Sequence, residues 1–404
     1  MKVLHVIPSY EPAWAFGGTV TATSNLCRAL AWQGTDVTVY TTDADGKGGH
    51  LNVPLNQPID LGGVKVWYFH CDFGVKKAFY SRGLARKLKE TVKNFDLVHV
   101  SAIWQWTQLN VFKNCMKNNI PYIVSPHSSL MEWSFEEVGN KLLKKLFWES
   151  FSSRTISMAT AIHFLCEGER ITSKKYIGNS SSFIVPNGII LDIFKFNEQK
   201  RNEMREKFRI SNETIVLLYL GRIHRKKNIE LIMEALRNQN TTQKVILFII
   251  GHIEDNTYYQ LLKRTASNLN VDSSIRWLPP VESREVKDFY FMSDLMMLPS
   301  KSEGISMAIT EALGASLPVL ISNRVANYRE IEMDKAGIVV KPTQESVVEA
   351  IKRILSSPSL LKTFSQNARK SAESRYALDK VAYLMIKAYE DVLTGRRSPE
   401  LQWR

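Results

Sequence analysis

Short apolar runs alternate along the whole chain with longer segments whose apolar positions recur at helical spacing. The runs Val3–Ile7, Asp36–Thr41, Val64–Tyr68, Leu97–Val100, Tyr122–Ser125, Ala161–Leu165 and Phe183–Val185 predict strands. Thr19–Trp32, Arg82–Lys93, Trp106–Asn118 and Asn140–Ser153 predict the helices between them. The pattern then restarts. Ile215–Tyr219, Val245–Ile250, Ile275–Leu278, Leu295–Leu298, Pro318–Ser322 and Gly337–Val340 read as strands, with Asn228–Arg237, Tyr258–Leu269, Ser283–Met292, Met307–Gly314 and Gln344–Leu355 as helices. Strands that are apolar throughout, separated by helices, predict parallel sheets covered on both faces. Two such series predict an α/β protein with two Rossmann-like, doubly wound domains. The turn Pro186-Asn187-Gly188 punctuates the chain after the first series and sets the domains at residues 1–188 and 189–375. A polar, charged stretch, Phe196–Arg209, leads into the second series. The last helical segment, Leu378–Leu393 within residues 376–404, has no strand partner of its own.

Composition narrows this picture. Apolar residues make up 44% and charged residues 23% of the 404 positions, the mixture of a globular chain rather than a disordered or fibrous one. No apolar run reaches the ~18 residues of a membrane span, and the first one is too short for a signal-peptide core. A cytoplasmic protein is expected. Cys27, Cys71, Cys115 and Cys166 are widely spaced and form no CxxC pair, which suggests buried reduced thiols rather than a zinc site or a disulfide framework. The net charge of +13 is spread out: Lys and Arg outnumber Asp and Glu by 20 to 14 up to Gly188, and by 33 to 26 after it. A nucleic-acid binder concentrates its charge in one stripe, so no nucleic-acid partner is expected. A diffuse basic field suits anionic substrates, or peripheral contact with an anionic membrane surface. The basic amphipathic segment Lys141–Trp148 fits such a surface, or a helix packed on the sheet with its charged face in water.

In doubly wound sheets ligands meet the loops at the carboxyl ends of strands. Two such domains place the expected site in a cleft between those edges. The loop Pro8–Gly18 ends in Gly17-Gly18 and opens a helix; glycines admit a close ligand and free amides attract anions. Gly221-Arg222-Ile223-His224-Arg225-Lys226-Lys227-Asn228 follows the first strand of the second series. Four cations in so short a loop make a diphosphate site, with a solvated basic turn as the plainer reading. Glu303 and Glu311 bracket seven residues after the strand Leu295–Leu298. Helical spacing from Ile305 puts Glu303 in the loop and Glu311 in the second turn, while Gly304, Ile305 and Ser306 offer amides at the positive end of the helix. One carboxylate could grip sugar hydroxyls and the other a ribose. Trp104 and Trp106 follow another strand end and could stack on an acceptor sugar or simply fill the core. Asp43-Ala44-Asp45 could hold a divalent ion, but reads better as a capped turn, so no metal is expected.

These motifs together resemble the retaining family 4 glycosyltransferases of the GT-B fold, two facing Rossmann-like domains. Glu303 to Glu311 is similar to the E-x7-E signature, and Arg222…Lys227 to the phosphate loop. Pro186-Asn187-Gly188-Ile189 resembles the interdomain turn. Ser125-Pro126-His127-Ser128-Ser129-Leu130 resembles the loop that carries the active-site histidine, and Gly17-Gly18 the N-terminal glycine loop. Ser128 stands where that family usually has Gly, Ile305-Ser306 where Phe-Gly is common, and Asn228 where Gly often follows the Lys. The resemblance implies transfer of a sugar, with retention and without a metal or other cofactor. The donor would be a nucleoside diphosphate sugar and the acceptor a hydroxyl of a glycan or lipid-linked molecule, in surface polysaccharide or glycoconjugate synthesis. It assigns His127, Glu303, Arg222 and Lys227 to catalysis. It assigns Gly17, Gly18, Arg222, Lys227, Glu303, Gly304, Ile305, Ser306 and Glu311 to the donor. It also implies that the C-terminal helix returns to the first domain. A sugar-nucleotide epimerase of the same fold, and a basic membrane- or nucleic-acid-binding protein, are the alternatives.

Overall fold

Among the described residues, thirteen of fourteen strands run parallel within their sheets, and the short edge strand β3 is antiparallel. The computed structural model describes residues 1–74, 79–131, 141–237 and 243–403. They form two units, Met1–Gly188 with Leu378–Arg404, and Ile189–Ala377. The first unit carries β1 (Lys2–Val6), β2 (Asp36–Thr42), β3 (Pro58–Asp60), β4 (Lys65–Phe69), β5 (Leu97–Ser101), β6 (Tyr122–Ser125), β7 (Ala161–Phe164) and β8 (Ser182–Ile184), in the spatial order β3-β4-β2-β1-β5-β6-β7-β8. The second carries β9 (Ile215–Leu220), β10 (Val245–Ile250), β11 (Ile275–Leu278), β12 (Leu295–Leu298), β13 (Val319–Ser322) and β14 (Gly337–Val340), ordered β11-β10-β9-β12-β13-β14. That second order is the Rossmann arrangement 3-2-1-4-5-6, and the first sheet repeats it from β4 to β7.

Central strands are covered on both faces, so every residue of β10 and β12 is buried. The core of the first sheet continues through Leu84 and Leu88 of helix Arg82–Thr91 and Val111 and Cys115 of helix Trp106–Asn118. All four cysteines are buried, and none is in a disulfide. After the second sheet the chain returns to the first unit, where helix Leu378–Thr394 packs on helix Gly18–Trp32. A Cβ at Gly188 would lie 2.8 Å from Leu378 Cδ1 and 3.0 Å from its Cα. Only glycine lets the outgoing and returning chain lie so close.

Several elements differ from the pattern-based expectation. The stretch around Phe196–Arg209, read as a connector, contains the helix Glu198–Lys207. Asn197 caps it, and its buried Arg205 is gripped by Asp294 and three carbonyls, with Arg201 on the other oxygen of Asp294. Three more helices lie outside that expectation: Glu167–Ile177 buries the polar Glu169, Arg170 and Ser173, the short Tyr328–Asp334 buries Ile331, and Pro358–Arg375 buries small residues beside Phe364, so none shows a strong apolar period. The single helix expected over Asn140–Ser153 is divided into Lys141–Phe147, a π-helical turn Trp148–Ser152 and Ser153–Ser157; Asn140 lies outside the described residues. Trp148 and Phe151 of the wide turn pack on Tyr176 and Trp106. The helix expected from Ile305 starts at Met307. Among the described residues no helix is long and apolar enough to cross a membrane.

Candidate functional site

Strand order reverses between β9 and β12 in the second unit. Neighbouring strands there send their connections to opposite faces, which opens a crevice beyond their carboxyl ends. The two loops at that point are the ones that carry the cations and Glu303. They are tied to each other: Lys301 N–H donates to Lys226 O at 2.8 Å, and Asn228 Nδ2 donates to Pro299 O at 3.3 Å. Asn228 has φ +59°, a conformation that Gly and Asn adopt at least cost, which accounts for Asn in place of Gly.

Glu303 is held by its own backbone, with its N–H on Arg324 O at 3.0 Å and its carbonyl accepting from Ala326 N at 2.9 Å. Its carboxylate meets Lys227 Nζ at 2.5 Å. Lys227 is 9% and Glu303 18% exposed at the side chain. Burial alone would raise the Glu303 carboxyl. The charges of Lys227 and Lys226, with the Lys227 hydrogen bond, outweigh it and hold the group below the usual range. Arg222 stands at the rim, exposed, paired with Glu254 at 2.8 Å. Glu311 lies in helix Met307–Gly314, partly buried, and accepts from Tyr290 Oη at 2.9 Å. Burial pushes its carboxyl up to about 7, and the Tyr290 bond only partly offsets this. Gly304, Ile305 and Ser306 lead into that helix, so the first helical amides are those of Met307 and Ala308 rather than of these three residues. The structure therefore gathers Lys227 and Glu303, with Arg222 and Glu311 on flanking positions of the same unit. The sequence reading missed Glu254 and Tyr290; neither lies in a recognisable motif.

In the first unit the loops after β1, β5 and β6 carry the other candidates. Gly17 has φ +79° and nothing within 4 Å of the place a Cβ would take, so the need for glycine there is conformational. Gly18 begins the helix. Ala102, Trp104, His127 and Ser128 all have positive φ, from +47° to +70°. Strained backbone of this kind at a sheet's carboxyl edge marks functional loops. Ser128 has φ +64°, a conformation that glycine adopts at least cost, and its N–H donates to Glu169 Oε1 at 2.5 Å. Glu169 also accepts from Leu165 N at 2.8 Å, and burial raises it to about 7 despite both bonds. It holds the histidine loop and was not singled out in the sequence. His127 is kept neutral by burial, with His163 adding to the effect, at a pKa of about 3; its Nε2 has no hydrogen-bond partner among the described residues. Trp104 packs on Phe147 and Trp148, and Trp106 on Tyr80, Phe147 and Phe151. Asp45 caps a tight turn, its Oδ1 accepting from the N–H groups of Lys47, Gly48 and Gly49. Asp43 is engaged differently, by two histidines.

The family described as Glycosyltransferase Family 4 matches residues 16–193, and that described as Glycosyl transferases group 1 matches residues 200–371. The chain belongs to these family 4 glycosyltransferases. Spore coat protein SA of Bacillus subtilis is 24% identical over 342 residues, 80% of this chain and 84% of that protein. Sucrose-phosphate synthase of Thermosynechococcus elongatus has a similar fold, with a TM-score of 0.79 at 17% identity, over 98% of this chain and 100% of that one. The HepE protein of Anabaena in complex with UDP gives 0.77 at 14% identity, over 97% and 100%.

Proposed function

We propose that the enzyme transfers a sugar from a nucleoside diphosphate sugar to a hydroxyl of a glycan or lipid-linked acceptor, with retention at the anomeric carbon. The observation that carries this reading is the Lys227–Glu303 pair at the strand-order reversal of the second unit, with Glu311 one helix turn beyond. A departing diphosphate gathers negative charge, and fixed cations stabilise it without a proton donor. Lys227 and Arg222 supply that charge, and no divalent ion is needed on the donor side. Glu303 positions the sugar and stabilises positive charge developing at its ring. Glu311 accepts from the ribose hydroxyls. His127 serves the sugar as a neutral hydrogen-bonding group, and Trp104 and Trp106 serve the acceptor. UDP bound to the HepE protein makes UDP the first nucleotide to try. Surface polysaccharide or glycoconjugate assembly, at the cytoplasmic face of an anionic membrane, is the setting that the basic sequence segment Lys141–Trp148 and the net positive charge favour.

A thermal-shift screen with UDP, GDP and ADP, each with and without EDTA, tests the donor. A ligand at ~100 times its dissociation constant stabilises by ~2.7 kcal/mol. One nucleotide is expected to raise the melting temperature equally in both conditions. No shift with any of them, or a shift abolished by EDTA, overturns the assignment.

A further inference from the structure

Asp43 follows β2 and His70 follows β4, neighbouring parallel strands of the first unit. His50 is brought to them by the turn that Asp45 caps. Three amides converge on that one carboxylate oxygen, Gly46 and Gly48 take φ of +79° and +105°, and Ala44 pairs with His50 as an antiparallel bridge. Asp43 is further fixed by its backbone, its N–H on Phe69 O at 3.0 Å and its carbonyl accepting from Leu51 N at 2.6 Å. The result is convergent. His50 Nδ1 lies 2.8 Å from Asp43 Oδ1 and His70 Nδ1 lies 3.0 Å from Oδ2, with the rings stacked at 4.6 Å between centroids. One ligand atom from each of the three residues lies within 4.8 Å of the others. Asp43 is buried, while the His50 and His70 side chains are 39% and 57% exposed.

We propose that Asp43, His50 and His70 form a binding site for a divalent ion of the zinc or cobalt type. Two imidazoles and one carboxylate are the donor set such ions take, with three protein ligands leaving a position for water. The Nδ1 atoms that now face the Asp43 carboxylate would turn their lone pairs to the ion, with the ring proton of each imidazole carried on Nε2. Cys71 N–H, donating to Asp43 Oδ1 at 2.8 Å, supplies the supporting bond that orients the carboxylate. The ion joins the turn 44–50 to the end of β4. The site belongs to the first unit and is independent of the donor assignment.

The full chain, stripped with EDTA and desalted, is titrated with Zn(II), with bound metal counted by mass spectrometry and Co(II) followed by its visible absorption. About one ion per chain is expected. His70→Ala and His50→Ala each lower the affinity by more than the ~10–100-fold that loss of a supporting partner costs. His252→Ala, an exposed histidine of the second unit, leaves it unchanged. Saturating Zn(II) also slows tryptic cleavage after the exposed Lys47 in the native chain and not in His70→Ala, with folding of each variant checked by circular dichroism. Binding well below one ion per chain, binding retained in both single variants, or cleavage after Lys47 indifferent to Zn(II) overturns the proposal.

Discussion

Lys227 and Glu303 exchange a charge-assisted hydrogen bond where solvent is scarce, so each depends on the other. On the proposed assignment, removing the lysine takes away a phosphate contact; it also leaves a partly buried carboxylate unpaired. Lys227→Ala is therefore expected to weaken nucleoside diphosphate binding by ~10-fold or more, as the loss of ~1.5–3 kcal/mol for a charged hydrogen bond implies. Arg222→Ala should weaken it less, because the side chain is exposed and already shared with Glu254. Isothermal titration of both variants settles the order, and native affinity in both would remove the cations from the donor site. The two glutamates separate by state. Glu303→Gln should mainly lower turnover, since charge beside the sugar matters most as positive charge develops. Glu311→Gln should mainly weaken nucleotide binding, since a ribose contact is present before and during reaction. Burial raises Glu311 to about 7, so its accepting form is lost as pH falls through neutrality. UDP affinity should drop several-fold from about pH 8 to about pH 6 in the native chain and stay level in Glu311→Gln. An equal drop in both would assign the pH dependence elsewhere.

At the scale of elements, helix Leu378–Thr394 is tied to the first sheet through Tyr389. Tyr389 Oη lies 2.7 Å from His99 Nδ1 and 3.0 Å from His5 Nε2, within β5 and β1. Tyr389→Phe strands polar atoms in the core, and a buried group left unsatisfied costs ~1–3 kcal/mol. Urea unfolding should show a loss of that size, and a change below about 0.5 kcal/mol would mean that water takes the hydroxyl's place. Such a bond spans most of the sequence and could not be read from it. Strands were legible because a short, unbroken apolar run between turn residues fits a strand covered on both faces and little else. Helix Glu198–Lys207 was not, because it buries the charged Arg205, whose partners Asp294 and Met292 O are distant in sequence. The same limit governs the candidate sites. Lys227, Glu303 and Glu311 stood out because strand ends concentrate chemistry at the point where sheet order reverses. Glu254 and Tyr290 reach Arg222 and Glu311 from other elements, Glu169 holds the His127 loop in the same way, and His50 and His70 meet Asp43 only once β2 and β4 are paired.

At the scale of the whole molecule, the two units differ in what acid does to them. The first encloses four neutral imidazoles. His5, His99 and His163 form a hydrogen-bonded chain through Tyr389 and Ser125 to Val185 O, and His127 lies beyond. Burial lowers all four, His5 and His127 to about 3 and His163 to about 4. A group lowered by folding binds fewer protons in the native state than unfolded. Its contribution is present above the unfolded value of ~6.5 and is lost as pH falls from there toward the folded values. Glu169, raised to about 7, works the other way, because its extra native proton favours folding as pH drops from 7 toward the ordinary carboxylate range. One carboxyl opposes four imidazoles, so the first unit should weaken steadily from pH ~6.5 to ~4. In the second unit Glu311 and Glu330 are raised by burial, which favours that unit over the upper part of the same window. Segment-resolved hydrogen exchange between pH 7.5 and 5, corrected for the intrinsic amide rate, should therefore show β1, β5 and β7 opening before β9, β10 and β12. Replacing His163 with Gln should reduce the pH dependence of the first unit, since one of its titrating groups is gone. If the second unit opens first, the buried imidazoles do not set the acid limit of this fold.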